Sequence, residues 1–201
     1  MEYTLKTTPD MIKYIRLQRT GYGNNENIES CYVKNVQRDY DNIQKFLPVE
    51  CSNILDIGCG LGGIDLLLSQ HYKGLPNLNL FDYTQTDKKI HYGYAEQASV
   101  YNDLDLTAQF LKMNGVEQDK IHTHNVLDGF PKQKYEIIIS LLSCGFHYPV
   151  TTYIQEIVNC RNGIVILDIR KGSDQMIELK KHFNSIVVMT EYSKHERVLV
   201  R

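Results

Sequence analysis

The spacing of hydrophobic positions changes near residue 50. Before that point, apolar side chains recur three to four residues apart in two segments, residues 11–15 and 32–47. This spacing predicts two helices, because side chains three and four residues apart lie on one helix face. Asp10 and Ser30 stand where N-caps are expected. The N-terminal quarter is therefore predicted to be helical.

From residue 53 onward, apolar runs of strand length alternate with helix-period segments. The predicted strands cover residues 53–57, 78–82, 120–124, 135–141, 163–169, 185–191 and 197–200. Helices are predicted to begin near Gly63, Asp103, Val150 and Ser173. No helix fits between the last two strands, so they should form an antiparallel hairpin. The pattern predicts an α/β fold, a three-layer Rossmann-like sheet of seven strands, mostly parallel, preceded by N-terminal helices.

We predict one globular unit with two parts: a helical lid or cap segment over residues 1–50, and the sheet domain over residues 51–201. Two loops are candidates to close over a ligand. Residues 19–27 are polar and rich in turn formers, and the connection over residues 83–102 is longer than such connections usually are. Tyr22 in the first and Tyr92 in the second are candidate substrate contacts.

Composition narrows the class of protein. A chain of 201 residues with 42% hydrophobic side chains suffices for one core. No apolar stretch has the length of a membrane span, and the first residues lack the apolar region of a secretory signal, so we expect a soluble, cytoplasmic protein. Five cysteines without a C-x-x-C pair argue against a disulfide framework or a cysteine zinc site. Lys and Arg total 22 against 24 Asp and Glu, which argues against a nucleic-acid partner.

Three alternate glycines, Gly58, Gly60 and Gly62, follow the first predicted strand and precede a helix. Glycine at these positions lets the backbone turn sharply and approach a ligand closely. Asp56 precedes the turn, and Asp82 ends the next strand. A carboxylate there accepts two hydrogen bonds from a vicinal diol. Asp56 has a second interpretation, a carboxylate that anchors the loop without touching a ligand.

The same segment also satisfies G-x-G-x-x-G through Gly58, Gly60 and Gly63, the fingerprint of nicotinamide dinucleotides, with Asp82 on the ribose. Asp56 is not part of that fingerprint. A dinucleotide domain also usually needs a second half or domain to hold substrate, whereas this sheet ends in a hairpin. An oxidoreductase that uses a nicotinamide dinucleotide is therefore kept as an alternative function for this chain.

The segment Leu55-Asp56-Ile57-Gly58-Cys59-Gly60-Leu61-Gly62 resembles the first motif of the class I S-adenosylmethionine-dependent methyltransferases, and the resemblance extends over residues 50–201. It implies S-adenosyl-L-methionine as cofactor. It also implies that the turn lies under the methionine end, that Asp82 binds the ribose, and that Asn125 and Val126 flank adenine. We add Leu141, which ends the fourth predicted strand, to the cofactor-binding residues.

The loop after the fourth predicted strand, residues 140–149, is where an acceptor is expected, since ligands of open parallel sheets bind at the carboxyl edge. It lacks the Asn/Asp-Pro-Pro-aromatic motif of methyltransferases that act on base or amide nitrogens. His147 is the candidate general base, with Tyr148 beside it. The alternative for His147 is a structural role, either capping of the following helix or packing under the loop. Ser143 and Cys144 have no assignable histidine and carboxylate partners for a hydrolase.

Two further polar groups have alternative interpretations. Arg170 follows the fifth predicted strand and is a candidate contact for an anionic substrate, or part of a solvated basic turn. His122 and His124 face the same side of a strand, as metal ligands do, but no third ligand is evident, so we predict no metal site.

The sequence thus predicts an S-adenosylmethionine-dependent methyltransferase that methylates a hydroxyl of a small molecule, with a sugar as one candidate acceptor and RNA or protein as open alternatives. A catalytically silent module that binds the cofactor is the second hypothesis, because the loop over residues 140–149 carries no strong catalytic motif.

Overall fold

A computed structural model of the chain describes residues 5–18, 27–84 and 102–201. The sheet has seven strands in the order β3-β2-β1-β4-β5-β7-β6. β7 runs antiparallel to both of its neighbours, and the other pairs are parallel. The predicted fold class is therefore confirmed. The strands are β1 Asn53–Ile57, β2 Asn77–Asp82, β3 Ile121–Asn125, β4 Tyr135–Ser140, β5 Arg161–Arg170, β6 Ile186–Glu191 and β7 His195–Val200.

Several predicted strand ends were wrong by one or two residues. β5 begins at Arg161 and ends at Arg170, because its pairing with β4 and β7 continues beyond the apolar run. β7 likewise begins at His195, opposite Arg170. Backbone pairing sets strand length, and a polar side chain at a sheet end does not interrupt it.

Six helices occur in the described residues: α1 Pro9–Gln18, α2 Ile28–Ile43, α3 Gly63–His71, α4 Leu104–Met113, α5 Ile154–Cys160 and α6 Gln175–His182. Both predicted N-terminal caps were wrong. Asp10 lies in the first turn of α1, where a carboxylate favours the helix dipole. Asn27 caps α2 by accepting a hydrogen bond from the Ser30 N–H. Asp103 caps α4 through the N–H groups of Asp105 and Leu106.

Helices cover the sheet on both faces. α1, α2, α3 and α4 share one buried apolar cluster with one face of the sheet, and α5 and α6 share a second cluster with the other face. Met11, Tyr14 and Ile15 of α1 are at most 2% exposed. The first helices are thus part of the core, whatever further role residues 1–50 have. No helix in the described residues is both long and apolar enough to cross a membrane.

The chain passes from β3 to β4 with one short 3-10 turn, Val126–Asp128. Polar side chains pair across the neighbouring strands there. His124 Nε2 lies 2.9 Å from Asn79 Oδ1, and His122 Nε2 lies 3.4 Å from Asn77 Oδ1. Burial lowers the pKa of His124, which favours the neutral ring. The two histidines therefore bind asparagines of β2. The described residues contain no group of three or more side chains suited to a metal.

Candidate cofactor and acceptor site

The glycine turn follows β1 and leads into α3. Gly58, Gly60 and Gly62 have φ angles of +77°, +55° and +78°, a region that side chains rarely tolerate. Gly62 is also the N-cap of α3. Thr107 of α4 holds the turn by donating from Oγ1 to the Gly60 carbonyl at 2.6 Å. The turn thus presents backbone at the carboxyl edge of the sheet.

Asp82, the last residue of β2, lies against this turn. Its Oδ2 accepts from the Gly60 N–H at 3.1 Å, and its Oδ1 accepts from the Tyr83 N–H at 2.8 Å. Desolvation raises the pKa of Asp82 to about 6, although hydrogen bonds from Gly60, Tyr83 and Asn102 favour the charged form. Asp82 is therefore ionised above neutrality and can accept further hydrogen bonds from a diol.

Asp56 lies below the turn beside a second carboxyl group that the sequence analysis missed, Asp65 of α3. The two are 3% and 0% exposed. Oδ1 of Asp56 and both oxygens of Asp65 have no donor among the described residues. Desolvation, followed by the charge of Asp65, raises the pKa of Asp56 well above its usual value, and desolvation raises that of Asp65 to about 7. The pair is best satisfied when it shares one proton, since two buried carboxylates would repel each other. In the sequence, Asp65 is a single acidic residue within the apolar run Ile64–Leu68, and this could have indicated a buried carboxyl group.

The loop after β4 is anchored to the turn by hydroxyl groups. Ser140 Oγ donates to the Ile57 carbonyl at 2.6 Å and accepts from the Cys144 N–H at 2.9 Å. Ser143 lies so close to Gly58 that a β-carbon there would be 1.9 Å from Ser143 Oγ. Leu141 is partly buried against the first apolar cluster. The sequence placed this loop at the sheet edge but did not place Ser143 at the turn.

His147 and Tyr148 differ in environment. His147 is exposed, and its ring contacts that of Phe146 at a centroid distance of 5.0 Å. The next helical turn begins after Pro149 without a side-chain cap, so His147 does not cap it. Tyr148 is partly buried, and its hydroxyl accepts from Ser143 Oγ at 3.2 Å. Desolvation raises the pKa of Tyr148 well above its usual value, so the phenol stays neutral and donates hydrogen bonds.

Arg170 holds the same loop from β5. Its Nε donates to the Phe146 carbonyl at 2.8 Å, and its guanidinium carbon lies 4.5 Å from the Phe146 ring centroid. Through these contacts Arg170 fixes the loop to β5, so Arg170 is not part of a freely solvated turn. Arg170 ends β5 at the carboxyl edge of the sheet, and substrate contact by Arg170 stays a prediction.

A buried ion network that the sequence did not reveal supports the loop from below. Arg197 of β7 donates to both carboxylate oxygens of Asp168 at 2.8 and 2.9 Å, and to Asp39 of α2 at 3.1 Å. Asp168 Oδ2 also accepts from the Leu142 N–H at 3.1 Å. Leu142 has a φ of +56°. The network therefore connects α2, β5 and β7 to a strained position in the loop over residues 140–149, which we call the acceptor loop.

Asn125 and Val126 lie at the same edge as Asp82. Asn125 ends β3 opposite Asp82 and caps the following 3-10 turn by accepting from the Leu127 N–H at 3.0 Å. Val126 packs against the second apolar cluster. Tyr22 and Tyr92 lie outside the described residues. The other predicted site residues thus meet at one edge of the sheet.

Comparison with known proteins gives structural matches without close sequence relatives. No family model and no curated protein matches the chain. The magnesium protoporphyrin IX methyltransferase ChlM of Synechocystis, crystallised with bound S-adenosylmethionine, matches 99% of this chain over 100% of its own, with a TM-score of 0.59 and 14% identity. The chain has the class I methyltransferase fold. At this identity the likeness establishes the fold alone.

Two longer proteins share the fold. A Thermotoga maritima S-adenosylmethionine-dependent O-methyltransferase matches 82% of this chain with a TM-score of 0.56 and 13% identity, and the chain spans 64% of it. The Thermus thermophilus 16S rRNA methyltransferase RsmC matches 89% with a TM-score of 0.55 and 10% identity, and the chain spans 44% of it. Methyltransferases with different acceptors therefore share this architecture.

Proposed function

We propose that this chain is an S-adenosylmethionine-dependent methyltransferase that acts on a hydroxyl of a small molecule, with sugars within that class. The observation that carries the proposal is the hydrogen bond between the Asp82 carboxylate and the Gly60 N–H. It supports an acceptor for a vicinal diol beside a turn in which every second residue is glycine. A ribose joined to a charged amino acid moiety requires that combination.

The residues at the edge of the sheet fit this cofactor. The glycine turn admits the methionine end, and the buried Asp56 has an oxygen without a donor among the described residues. Asp82 takes the ribose. The remaining cofactor contacts in the proposal are Asn125, Val126 and Leu141. When bound, S-adenosylmethionine supplies an electrophilic methyl group on a sulfonium that leaves as a thioether.

The acceptor loop supplies the rest of the chemistry. His147, on the exposed rim, would take the proton of the acceptor hydroxyl when cofactor and acceptor are bound. Tyr148, held neutral, donates a hydrogen bond that orients the acceptor, and Arg170 binds any anionic group on it. The absence of the Asn/Asp-Pro-Pro-aromatic motif favours oxygen over a base or amide nitrogen.

The comparisons support a methyltransferase and limit how far the acceptor is defined. The matched proteins include O-methyltransferases and an enzyme that acts on magnesium protoporphyrin IX, which favours a small molecule. RsmC acts on rRNA with the same fold, but a net charge of −2 favours an acceptor other than a polyanion. The antiparallel β7 between β5 and β6 departs from the parallel strand order of dinucleotide-binding sheets, which argues against the nicotinamide alternative. A cytoplasmic location belongs to the same proposal.

Calorimetry with S-adenosylhomocysteine and methyl transfer from labelled S-adenosylmethionine to a panel of sugars, phenols, RNA and proteins test the proposal. Saturable binding with transfer to a small hydroxyl compound supports it. Binding without transfer to any acceptor supports the silent module, and binding of reduced nicotinamide cofactor in its place supports the oxidoreductase. Native mass spectrometry of the purified protein provides an independent check, because a retained cofactor identifies itself by mass.

A further inference from the structure

We propose that Tyr14, on the first helix, acts through Asn102 as a positioning residue for the ribose-binding carboxylate of Asp82. The inference rests on the proposed function, since it concerns how this chain holds the cofactor acid. Tyr14 comes from α1, a segment that the sequence linked to the site only as part of a lid. It is 2% exposed and packs in the core.

The Tyr14 hydroxyl is directed at one side chain. It donates a hydrogen bond to Oδ1 of Asn102, the residue before the N-cap of α4. Asn102 is itself 3% exposed, and its Oδ1 also accepts from the Asp103 N–H at 2.9 Å. Two donors therefore converge on the amide oxygen. A side-chain amide has distinct ends, so these donors fix which end is the NH₂ group.

The NH₂ end of Asn102 faces the cofactor site. Nδ2 donates to Cys59 Sγ at 3.9 Å in the glycine turn, and hydrogen bonding by the Asn102 side chain lowers the pKa of the neighbouring Asp82. If the amide rotated, its oxygen would face the carboxylate and repel it. The Tyr14 hydroxyl thus holds a donor against Asp82 from the far side of Asn102.

Asp82 depends on such donors. Its oxygens accept from the Gly60 and Tyr83 N–H groups at 3.1 and 2.8 Å, and the Asn102 side chain also lowers its pKa and so favours the charged form. A carboxylate that is ionised and fixed in direction binds both ribose hydroxyls better than one that is protonated or free to turn.

Desolvation by burial opposes ionisation of Asp82, and acidic and titratable groups surround it. Asp56 of β1, Cys59 of the turn and Asp103 before α4 face the same cluster, and each carries or can carry negative charge. Within the described residues, no cation contributes to the pKa of Asp82. Hydrogen-bond donors therefore have to stabilise the carboxylate, and Tyr14 orients one of them.

Two variants test the relay, by which we mean the path from the Tyr14 hydroxyl through the Asn102 amide to the Asp82 carboxylate. Tyr14→Phe keeps the buried ring and removes the hydroxyl, and Asn102→Ala removes the amide. Tyr72→Phe is the matched control, because Tyr72 is a buried tyrosine whose hydroxyl donates to the Pro48 carbonyl at 2.7 Å and is not part of the site. The measurements are calorimetric binding of S-adenosylhomocysteine between pH 5 and 8 and thermal unfolding of each variant.

Tyr14→Phe is expected to weaken binding about two- to tenfold at pH 7, the effect of one hydrogen bond. The midpoint at which binding falls in acid should also move to higher pH, and Asn102→Ala should show both effects more strongly. Tyr72→Phe should keep the wild-type affinity and midpoint at a lower melting temperature. A merely structural role of Tyr14 changes the melting temperature and leaves the midpoint in place.

Wild-type affinity and midpoint in folded Tyr14→Phe overturn the relay and leave the proposed function intact. Should Tyr14→Phe fail to fold, Asn102→Ala decides the question by the same two readouts. Absence of binding to the wild-type protein overturns the proposed function and the relay together.

Discussion

Ser143 lies directly against Gly58, so that a β-carbon on Gly58 would fall 1.9 Å from the serine hydroxyl oxygen and 2.4 Å from its β-carbon. The loop after β4 and the turn after β1 are therefore packed so closely that only glycine fits between them. This contact joins the proposed cofactor turn to the proposed acceptor loop.

Gly58→Ala is expected to abolish cofactor binding and to lower stability. The substitution meets both the clash with Ser143 and the cost of a positive φ, about 1 to 2 kcal/mol. Gly74→Ala is the matched control, because Gly74 has the same φ of +77° with no atom near its Cβ position. Unfolding and calorimetry of both variants separate the effect of the clash with Ser143 from the cost of the positive φ. Equal losses of stability and of cofactor affinity in the two variants would contradict the role of the contact.

Asp82→Ala is expected to weaken S-adenosylhomocysteine binding by about 1 to 3 kcal/mol, because two hydroxyl hydrogen bonds to a charged group are lost. Asp119, exposed on the 3-10 turn before β3, provides the control variant Asp119→Ala with unchanged affinity. Since the pKa of Asp82 is raised to about 6, wild-type binding should weaken as the pH falls through that value. If neither Asp82→Ala nor the fall in pH changed the affinity, the assignment of Asp82 to the ribose would be refuted.

Stability of the ligand-free protein should fall as the pH rises from about 4 to about 7. Burial raises the pKa of Asp65 from its ordinary value of 3.8 to about 7, so the folded state binds more protons in this window. Asp65→Asn is expected to be more stable than wild type at pH 8 and to show a flatter pH dependence in urea unfolding. Parallel curves for the two proteins would exclude a shared proton.

Arg197→Ala is expected to destabilise the protein by about 3 to 5 kcal/mol, because Asp168 and Asp39 would be left as buried charges without their partner. Arg38→Ala is the control, since Arg38 lies 3.9 Å from the same Asp39 but its side chain is 56% exposed, and a surface pair contributes about 1 kcal/mol or less. Similar losses in the two variants would show that the network contributes little.

His147→Ala tests the proposed base separately from the cofactor site. Turnover with an identified acceptor should fall about 10²- to 10⁴-fold, the usual contribution of a general base, while S-adenosylhomocysteine affinity stays at the wild-type value. Unchanged turnover would remove His147 from the mechanism and leave the cofactor assignment standing.

Local patterns were sufficient for much of the fold. The seven strands and the terminal hairpin followed from apolar runs and from the short connection after β6, because strand period and loop length are properties of adjacent residues. Element ends followed less well. Asn27 caps α2 although Ser30 stood closer to the apolar segment, since the cap depends on where the chain enters the helix.

The glycine turn, Asp56 and Asp82 were evident from the sequence, because backbone that must turn at a strand end needs glycine, and parallel strands bring their carboxyl ends to one edge. The partners of these groups were decided by tertiary structure alone. Asp65 beside Asp56, Ser143 against Gly58, Tyr14 behind Asn102 and Arg197 under Asp168 join residues from separate elements. Which side chains meet depends on how helices and strands pack, and no spacing along the chain records that.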